Sequence, residues 1–346
     1  MIVSTKHTFI DLFSGCGGLS LGFKMAGFKE VLAIDNWQDA LDTYNKNYPR
    51  ANTLCADLSS IDIEKVAKEF NISTVDLVIG GPPCQGFSIA GKRIVEDIRN
   101  KLYKSFVSFV EYYSPKAFVM ENVPNILSIG NGVVRDSILA DFSKLGYNVV
   151  YKILTASDYG VPQNRRRAIF VGLKEGTFEF PEPYTEQKVT AEQALSDLPE
   201  NTLPEGTDYP TKSKSEFQKW ARQNSSGVFN HKVTEHSEQT KHIISLVPDG
   251  GNYKDLPLSL QNTRKVHIAW TRLNSQKPSF TIDCGHNHHF HYKFNRVPTV
   301  RESARIQSFP DSFIFTGNHG SQLRQVGNAV PPLLAKAISE QLLKYI

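Results

Sequence analysis

The residues whose types and spacing could do chemistry centre on Cys84, Glu121 and Arg165. Cys84 lies in Gly80-Gly-Pro-Pro-Cys-Gln-Gly-Phe-Ser88, where two prolines stiffen the backbone just before the thiol. A lone cysteine is usually an inert, buried small hydrophobe. In a polar loop flanked by glycine, its thiolate can instead be exposed, tuned in pKa and used as a nucleophile. Glu121, in Met120-Glu-Asn-Val-Pro124, is placed to open into the same crevice. A desolvated carboxyl there can keep a proton or share it with a ring nitrogen. Arg165 belongs to Pro162-Gln-Asn-Arg-Arg-Arg167 and could hydrogen-bond a base carbonyl. Strand alternation sends Arg167 to the same side. Three arginines in a row otherwise mark a solvated face or a phosphate patch. Gly86 to Asn100, with Lys92, Arg93 and Arg99, reads as a mobile loop able to close over a substrate.

A second group suits a nucleoside ligand. Phe13-Ser-Gly-Cys-Gly-Gly-Leu-Ser-Leu-Gly22 follows an apolar run and opens a helical one. Its glycines Gly15, Gly17 and Gly18 let the backbone turn tightly and approach a ligand, and free amides at a helix start suit an anion. The spacing is not that of the dinucleotide fingerprint, which disfavours NAD. Asp35 ends the next strand, where a carboxylate can hold two ribose hydroxyls. Asp57 ends the one after and could meet an adenine amino group or an ammonium.

These residues need a scaffold that brings strand ends together. Apolar runs at Thr8 to Phe13, Val31 to Asp35, Thr53 to Asp57, Asp76 to Gly80, Ala117 to Glu121, Val149 to Leu154 and Ala168 to Leu173 read as strands. Helical patterns lie between them, near Gly18 to Ala26, Gln38 to Asn47, Ile63 to Phe70 and Leu102 to Tyr113. This alternation predicts an α/β fold with a Rossmann-like, doubly wound, mostly parallel sheet, whose ligands bind beyond the carboxyl ends of the strands. After Gly172 the pattern breaks. Five prolines fall between Pro181 and Pro210, where one short helix is expected at Ala191 to Asp197, with Thr190 and Gln193 as a capping box. Leu333 to Tyr345 reads as an amphipathic helix packing back on the first domain. We therefore expect a first domain of residues 1–185 plus 325–346 and a smaller, irregular second domain of 186–324.

Composition sets loose bounds. The 346 residues are 40% apolar and 21% charged, with a net charge of +4, which permits a nucleic-acid partner without demanding one. No apolar run reaches the length of a membrane span, and the first residues lack a secretory signal pattern, so a cytoplasmic protein is expected. Cys16, Cys55, Cys84 and Cys284 form no CxxC pair and suggest neither disulfides nor a zinc site.

Taken together and in order, six segments resemble the cytosine-C5 DNA methyltransferase family of bacterial restriction-modification systems. They are Phe9-Ile-Asp-Leu-Phe-Ser-Gly-Cys-Gly-Gly18, Gly81-Pro-Pro-Cys-Gln-Gly-Phe-Ser88, Glu121-Asn-Val123, Gln163-Asn-Arg-Arg-Arg167, Arg301-Glu-Ser-Ala-Arg-Ile-Gln-Ser-Phe-Pro310 and Gln325-Val-Gly-Asn-Ala-Val-Pro-Pro332. The resemblance implies the S-adenosylmethionine-dependent methyltransferase fold, with S-adenosylmethionine as cofactor and double-stranded DNA as partner. By it, Phe13 stacks on the adenine and Asp35 holds the ribose. Asn36, Asp57 and Leu58 line the adenine pocket, Pro83 borders the cofactor, and Asn328 and Val330 reach its amino-acid end. Cys84 attacks carbon 6 of a flipped cytosine, Glu121 engages ring nitrogen 3, and Arg165 steadies the base carbonyl and Glu121.

The resemblance also places a target-recognition part in the second domain, organised by Arg301 to Pro310. Gln85, Ser88, Lys92, Arg99, Arg167, Arg264 and Arg272 are the candidate DNA contacts, with Asn287 beside them. Eight of the ten histidines fall between residues 231 and 291. Strand alternation splits His286 and His288 from His289 and His291, so no metal is expected there. A cognate restriction endonuclease would act on the same DNA without physical contact, and nothing calls for more than a monomer. A tRNA cytosine-C5 methyltransferase is the alternative; Gly86-Phe-Ser88 and the long insert favour DNA. An exocyclic-amino methyltransferase would need no cysteine after its paired prolines. A non-catalytic DNA-binding module would not need Cys84, Glu121 and Arg165 intact.

Overall fold

The alternating apolar runs of the first half become one seven-stranded sheet. Its strands are β1 (Thr8–Leu12), β2 (Lys29–Asp35), β3 (Thr53–Cys55), β4 (Leu77–Gly80), β5 (Ala117–Asn122), β6 (Asn148–Thr155) and β7 (Arg166–Leu173). The computed structural model describes residues 7–83, 100–184, 187–261, 270–283 and 289–346. Helices α1 (Gly18–Met25), α2 (Gln38–Asn47), α3 (Ile63–Glu69), α4 (Asn100–Tyr113) and α5 (Val133–Lys144) lie between the strands. Strand order is β3-β2-β1-β4-β5-β7-β6, with β1 to β5 parallel and β7 antiparallel to both β5 and β6. Every residue of β4 is buried, as a strand covered on both faces requires.

The winding reverses between β1 and β4, the point where doubly wound sheets open a ligand crevice. The carboxyl ends of β1, β2, β4 and β5 share that edge, and antiparallel β7 brings its first residues to it. Phe106 of α4, Phe118 of β5 and Phe142 of α5 anchor β5 from below. All three are fully buried, and the Phe118 and Phe142 rings stack 3.9 Å apart. Burying each ring contributes about 1.5–3 kcal/mol.

The chain divides into two compact units, residues 1–155, 166–183 and 330–346 in one, and 156–165 with 184–329 in the other. This differs from the expected boundaries in two respects, one being that residues 325–329 fall in the second unit. Residues 156–165, between β6 and β7, also belong to the second unit. Their backbone is zipped to a later segment: Asn164 N donates to Ser279 O (2.7 Å) and Ser279 N to Pro162 O (2.9 Å).

The second unit holds short helices rather than a strand-helix alternation. The capping box begins α6 (Ala191–Leu195), with Gln193 N donating to Thr190 Oγ1 (3.2 Å) and Thr190 N to Gln193 Oε1 (2.9 Å). Then follow α7 (Glu216–Ala221), α8 (Glu238–Ser245), α9 (Leu258–Gln261), a two-residue parallel pair β8 (Thr271–Arg272) and β9 (His289–Phe290), α10 (Val300–Ile306) and α11 (His319–Asn328). Buried charges tie these pieces together through α10. Arg305 grips Asp311 with two bonds (2.9 and 2.6 Å) and also pairs with Asp197. Arg296 clasps Glu302 with two bonds of 2.8 Å. Burial opposes ionisation of Glu302, but the Arg296 guanidinium outweighs it and holds the carboxyl well below its usual range. Arg301 donates to the carbonyls of Phe229, Pro310 and Phe313.

The last helix, α12 (Pro332–Leu342), belongs to the first unit and packs on α1. The approach is close enough to demand glycine at position 22. A Cβ there would lie 2.3 Å from Ala335 Cβ and 2.6 Å from both Pro332 O and Lys336 N. We expect Gly22→Ala to cost about 1–3 kcal/mol through overpacking, read as a lower urea midpoint. An unchanged midpoint would contradict this packing.

Candidate active site

The glycine loop after β1 is shaped by its own backbone and by one carboxylate. Gly15 N donates to Asp35 Oδ2 (2.8 Å) and Trp37 N to Asp35 Oδ1 (2.9 Å), so Asp35 pins the loop to the end of β2. Ser14 N donates to Ile34 O (3.1 Å) and Gly17 N to Ser14 O (3.0 Å). Phe13 has φ 58°, a left-handed conformation that costs an aromatic residue about 1–2 kcal/mol. Such strain concentrates at binding sites. Gly17, at φ 93°, is the N-cap of α1, and Gly18 is its first residue.

A Cβ on Gly15 would meet nothing within 4 Å, so the space over the loop is open. Half-buried Phe13 and Asp35 border it; exposed Asn36 follows β2, and exposed Asp57 and buried Leu58 follow β3, whose end pairs with that of β2. Ser59 N donates to Asp57 Oδ1 (2.8 Å) and holds that carboxyl below its usual range. An open loop of turned backbone flanked by two carboxylates and an aromatic ring fits a cofactor carrying a ribose, an aromatic base and positive charge. Val330 begins the segment into α12 in the first unit, whereas Asn328 ends α11 in the second.

Behind the loop is a buried polar chain. Ser20 Oγ donates to Asp11 Oδ2 (2.6 Å), and Tyr44 OH donates to Ser20 Oγ (2.9 Å). Burial pushes the Asp11 carboxyl up to about 8. The signal for it was present in the strand Phe9-Ile-Asp-Leu12, a lone acid in an apolar run, though no role was expected of it.

On the other side of the switch point, the turn after β4 is tied to the end of β5. Asn122 Nδ2 donates to Pro82 O (2.8 Å), and Asn122 Oδ1 accepts from Val123 N (2.9 Å). This fixes Gly81, Pro82 and half-buried Pro83, the last described residues before Cys84. Cys84 and the expected DNA contacts Gln85, Ser88, Lys92, Arg99 and Arg264, with Asn287, lie outside the described residues. Glu121 leans over the turn, such that a Cβ on Gly81 would lie 3.1 Å from Glu121 Oε2.

The arginine on Glu121 is Arg167, with Nε 2.7 Å from Oε1 and both side chains mostly shielded. This role was expected of Arg165, with Arg167 expected at DNA. Register explains the correction. Glu121 pairs across the ladder with Ile169, which makes Arg167 its diagonal neighbour on the same face. Arg165 precedes β7, is buried, and belongs to the second unit.

Arg272 also departs from expectation. Instead of facing DNA it is buried, and its five donor hydrogens are met by Val247 O, His291 O, Phe294 O, Ile244 O and Asn295 Oδ1. His289 and His291 are buried as well. His291 Nδ1 accepts from Lys293 N (3.0 Å) and Phe294 N (3.1 Å), and burial lowers its pKa to about 3. His286 and His288 lie outside the described residues. Among the described residues no group of three His, Cys, Asp or Glu side chains is placed to hold a metal ion. Nor is any helix among them long and apolar enough to cross a membrane.

Fold and strand-end chemistry together define a methyltransferase acting on a base. The model of the C-5 cytosine-specific DNA methylases matches residues 7–344, and the chain belongs to that family. Among its relatives is the type II methyltransferase M1.HphI of Haemophilus parahaemolyticus, 42% identical over 99% of this chain and 88% of that one. Another is M.DdeI of Desulfomicrobium norvegicum, 39% identical over 97% and 88%. A crystal structure assigned as a DNA modification methyltransferase from an E. coli prophage superposes with a TM-score of 0.81 at 31% identity, covering 98% of this chain and 99% of that one. The S. pombe Dnmt2 methyltransferase shares the fold, with a TM-score of 0.62 at 17% identity over 98% and 99%.

Two outcomes follow from this geometry. Arg167→Ala should lower methyl transfer by about 10²-fold or more, since Glu121 loses the group that orients it, while cofactor affinity by calorimetry holds. Transfer at the wild-type rate would remove Arg167 from the site. The second concerns Asp11. Its carboxyl is raised from 3.8 to about 8, so the folded chain keeps a proton that the unfolded chain releases. The resulting stabilisation is full below pH 3.8 and is lost as pH rises towards 8. The urea midpoint of wild type should therefore fall relative to Asp11→Asn across that window; a constant gap would refute the buried acid.

Proposed function

We propose that the chain uses S-adenosylmethionine to methylate carbon 5 of one cytosine in a specific sequence of double-stranded DNA, after turning that base out of the helix. One observation carries the reading: the Glu121–Arg167 pair stands over the turn that runs into Cys84. That sets a carboxylate and a guanidinium beside the turn whose next residue, Cys84, this reading takes as the nucleophile. A thiol cannot reach carbon 6 in a stacked duplex, so extrusion of the base comes first.

The Cys84 thiolate then adds to carbon 6, and the electron pair of the 5,6 double bond shifts onto carbon 5. Glu121 shares a proton with ring nitrogen 3 and draws electron density towards it. Arg167 holds Glu121 in place and can also reach the base carbonyl. Phe13, Asp35, Asn36, Asp57, Leu58, the Gly15–Gly18 loop, Pro83 and Val330 would hold S-adenosylmethionine, which would supply the electrophilic methyl group: carbon 5 takes the methyl as its bond to the sulfonium sulfur breaks, leaving the thioether S-adenosylhomocysteine. Loss of the carbon 5 proton to a base restores the double bond and expels the Cys84 thiolate.

Gln85, Ser88, Lys92, Arg99 and Arg264 are the proposed DNA contacts, and buried Arg165 is given no contact to DNA. The type II relatives support a protective role beside a restriction endonuclease acting on the same sequence; a cytoplasmic location and the lack of a stable complex between the two are part of the proposal. Those relatives also favour DNA over tRNA.

The test is to methylate a plasmid with purified protein and S-adenosylmethionine, then map the products by bisulfite sequencing. One sequence context with modified cytosines is expected. Cys84→Ala should abolish transfer and leave S-adenosylmethionine affinity intact. Transfer retained in that variant would rule out the covalent route.

A further inference from the structure

The Gly17 turn rests on two tyrosines of the α2 segment that the proposed chemistry does not use. A Cβ on Gly17 would lie 2.7 Å from Tyr44 Cδ2 and 3.5 Å from Tyr48 Cε2, so the backbone sits directly on these rings. The rings meet edge to face, with centroids 5.0 Å apart. Tyr48 is held from its other side by Lys24, whose Nζ lies 3.6 Å from the ring centroid and 2.5 Å from Glu30 Oε2. Tyr44 is fully buried, and its hydroxyl continues into α1 and β1 through Ser20 and Asp11. Three elements are thereby fastened at one point beneath the loop: β1 by Asp11, α1 by Ser20 and α2 by Tyr44.

We infer that Tyr44 is a positioning residue for the methyl donor, holding the Gly17 turn in its receptive shape through its ring and through its hydroxyl on the Ser20–Asp11 pair. The inference rests on the reading that this loop binds S-adenosylmethionine. The left-handed turn at Gly17 sets where the first amides of α1 point. A turn without a floor would sample other shapes, and the donor would have to select the right one, which lowers its apparent affinity.

Calorimetry with S-adenosylmethionine tests this without any turnover. Tyr44→Phe keeps the floor and removes one buried hydrogen bond. It should raise the dissociation constant about three- to tenfold. Tyr44→Ala removes the floor and should raise it further. Asp11→Asn keeps an acceptor for Ser20 and should bind within about twofold of wild type, whereas Asp11→Ala should lose affinity as Tyr44→Phe does. Affinity for duplex DNA should not move in Tyr44→Phe, which separates positioning from general loosening. Wild-type donor affinity in folded Tyr44→Phe and Asp11→Ala would overturn the inference, as would equal losses for donor and DNA. The underlying reading fails separately, if wild type binds no S-adenosylmethionine or if Asp35→Ala leaves its affinity unchanged.

Discussion

The reversal of winding between β1 and β4 is the constraint on which the rest depends. Parallel strands joined by crossovers of one hand leave every carboxyl end on one edge. Reversing direction at the centre pulls the flanking helices apart there and opens a crevice. The glycine loop lies on one side of that crevice and the Gly81–Pro83 turn on the other. Each is held by a side chain from the next strand outwards: Asp35 of β2 pins Gly15, and Asn122 of β5 pins Pro82. The two halves solve the same problem in the same way. A loop too irregular to satisfy its own backbone is hydrogen-bonded to a side chain at a neighbouring strand end, donating to Asp35 in one case and accepting from Asn122 in the other.

Antiparallel β7 adds what a purely parallel sheet could not. Its first residues arrive at the edge where the other strands finish, so a cation can face a carboxylate across one ladder. Diagonal register then decides which of three consecutive arginines does so. An ion pair this shielded is costly to assemble, and removing one partner leaves the other charge poorly solvated. Glu121 thus keeps its position because Arg167 is there, and one of its oxygens is left facing the Gly81 turn.

How much of this was legible before the structure depended on the range of the interactions. The strands of the first half and its helices α1 to α4 follow from local apolar periodicity and agree within a few residues, whereas α5 was not expected. The capping box at Thr190 is equally local. Asp35 could be placed at a strand end, though its hold on Gly15 could not be seen. The choice between Arg165 and Arg167 was not legible, because both have the same parity and only the cross-strand register separates them. The excursion of residues 156–165 was missed for a related reason: its partner, Ser279, lies more than a hundred residues away. The Tyr44–Ser20–Asp11 chain joins three elements, and no spacing rule along one of them reveals it.

Arginine is where sequence reading fails most in the second unit, and the cause is chemical. A guanidinium carries five donors, and these serve a phosphate, a base edge or a cluster of backbone carbonyls equally well. Arg272, Arg296, Arg301 and Arg305 are all buried and spent on the fold. In a unit of short helices, whose ends leave many carbonyls without partners, an arginine that collects several of them replaces secondary structure the chain does not form. Arg272 gathers four backbone carbonyls, those of Ile244 in the last turn of α8 and Val247 just after it among them, and Arg301 three. Arg296 takes three carbonyls and Arg305 one, and both are also neutralised, by Glu302, Asp197 and Asp311. Those pairs cancel within the net charge of +4, so the charge that can attract DNA resides in other, more exposed lysines and arginines. A count of basic residues thus overstates the DNA-facing surface of this unit, and burial has to be known before any of its arginines is assigned to a base.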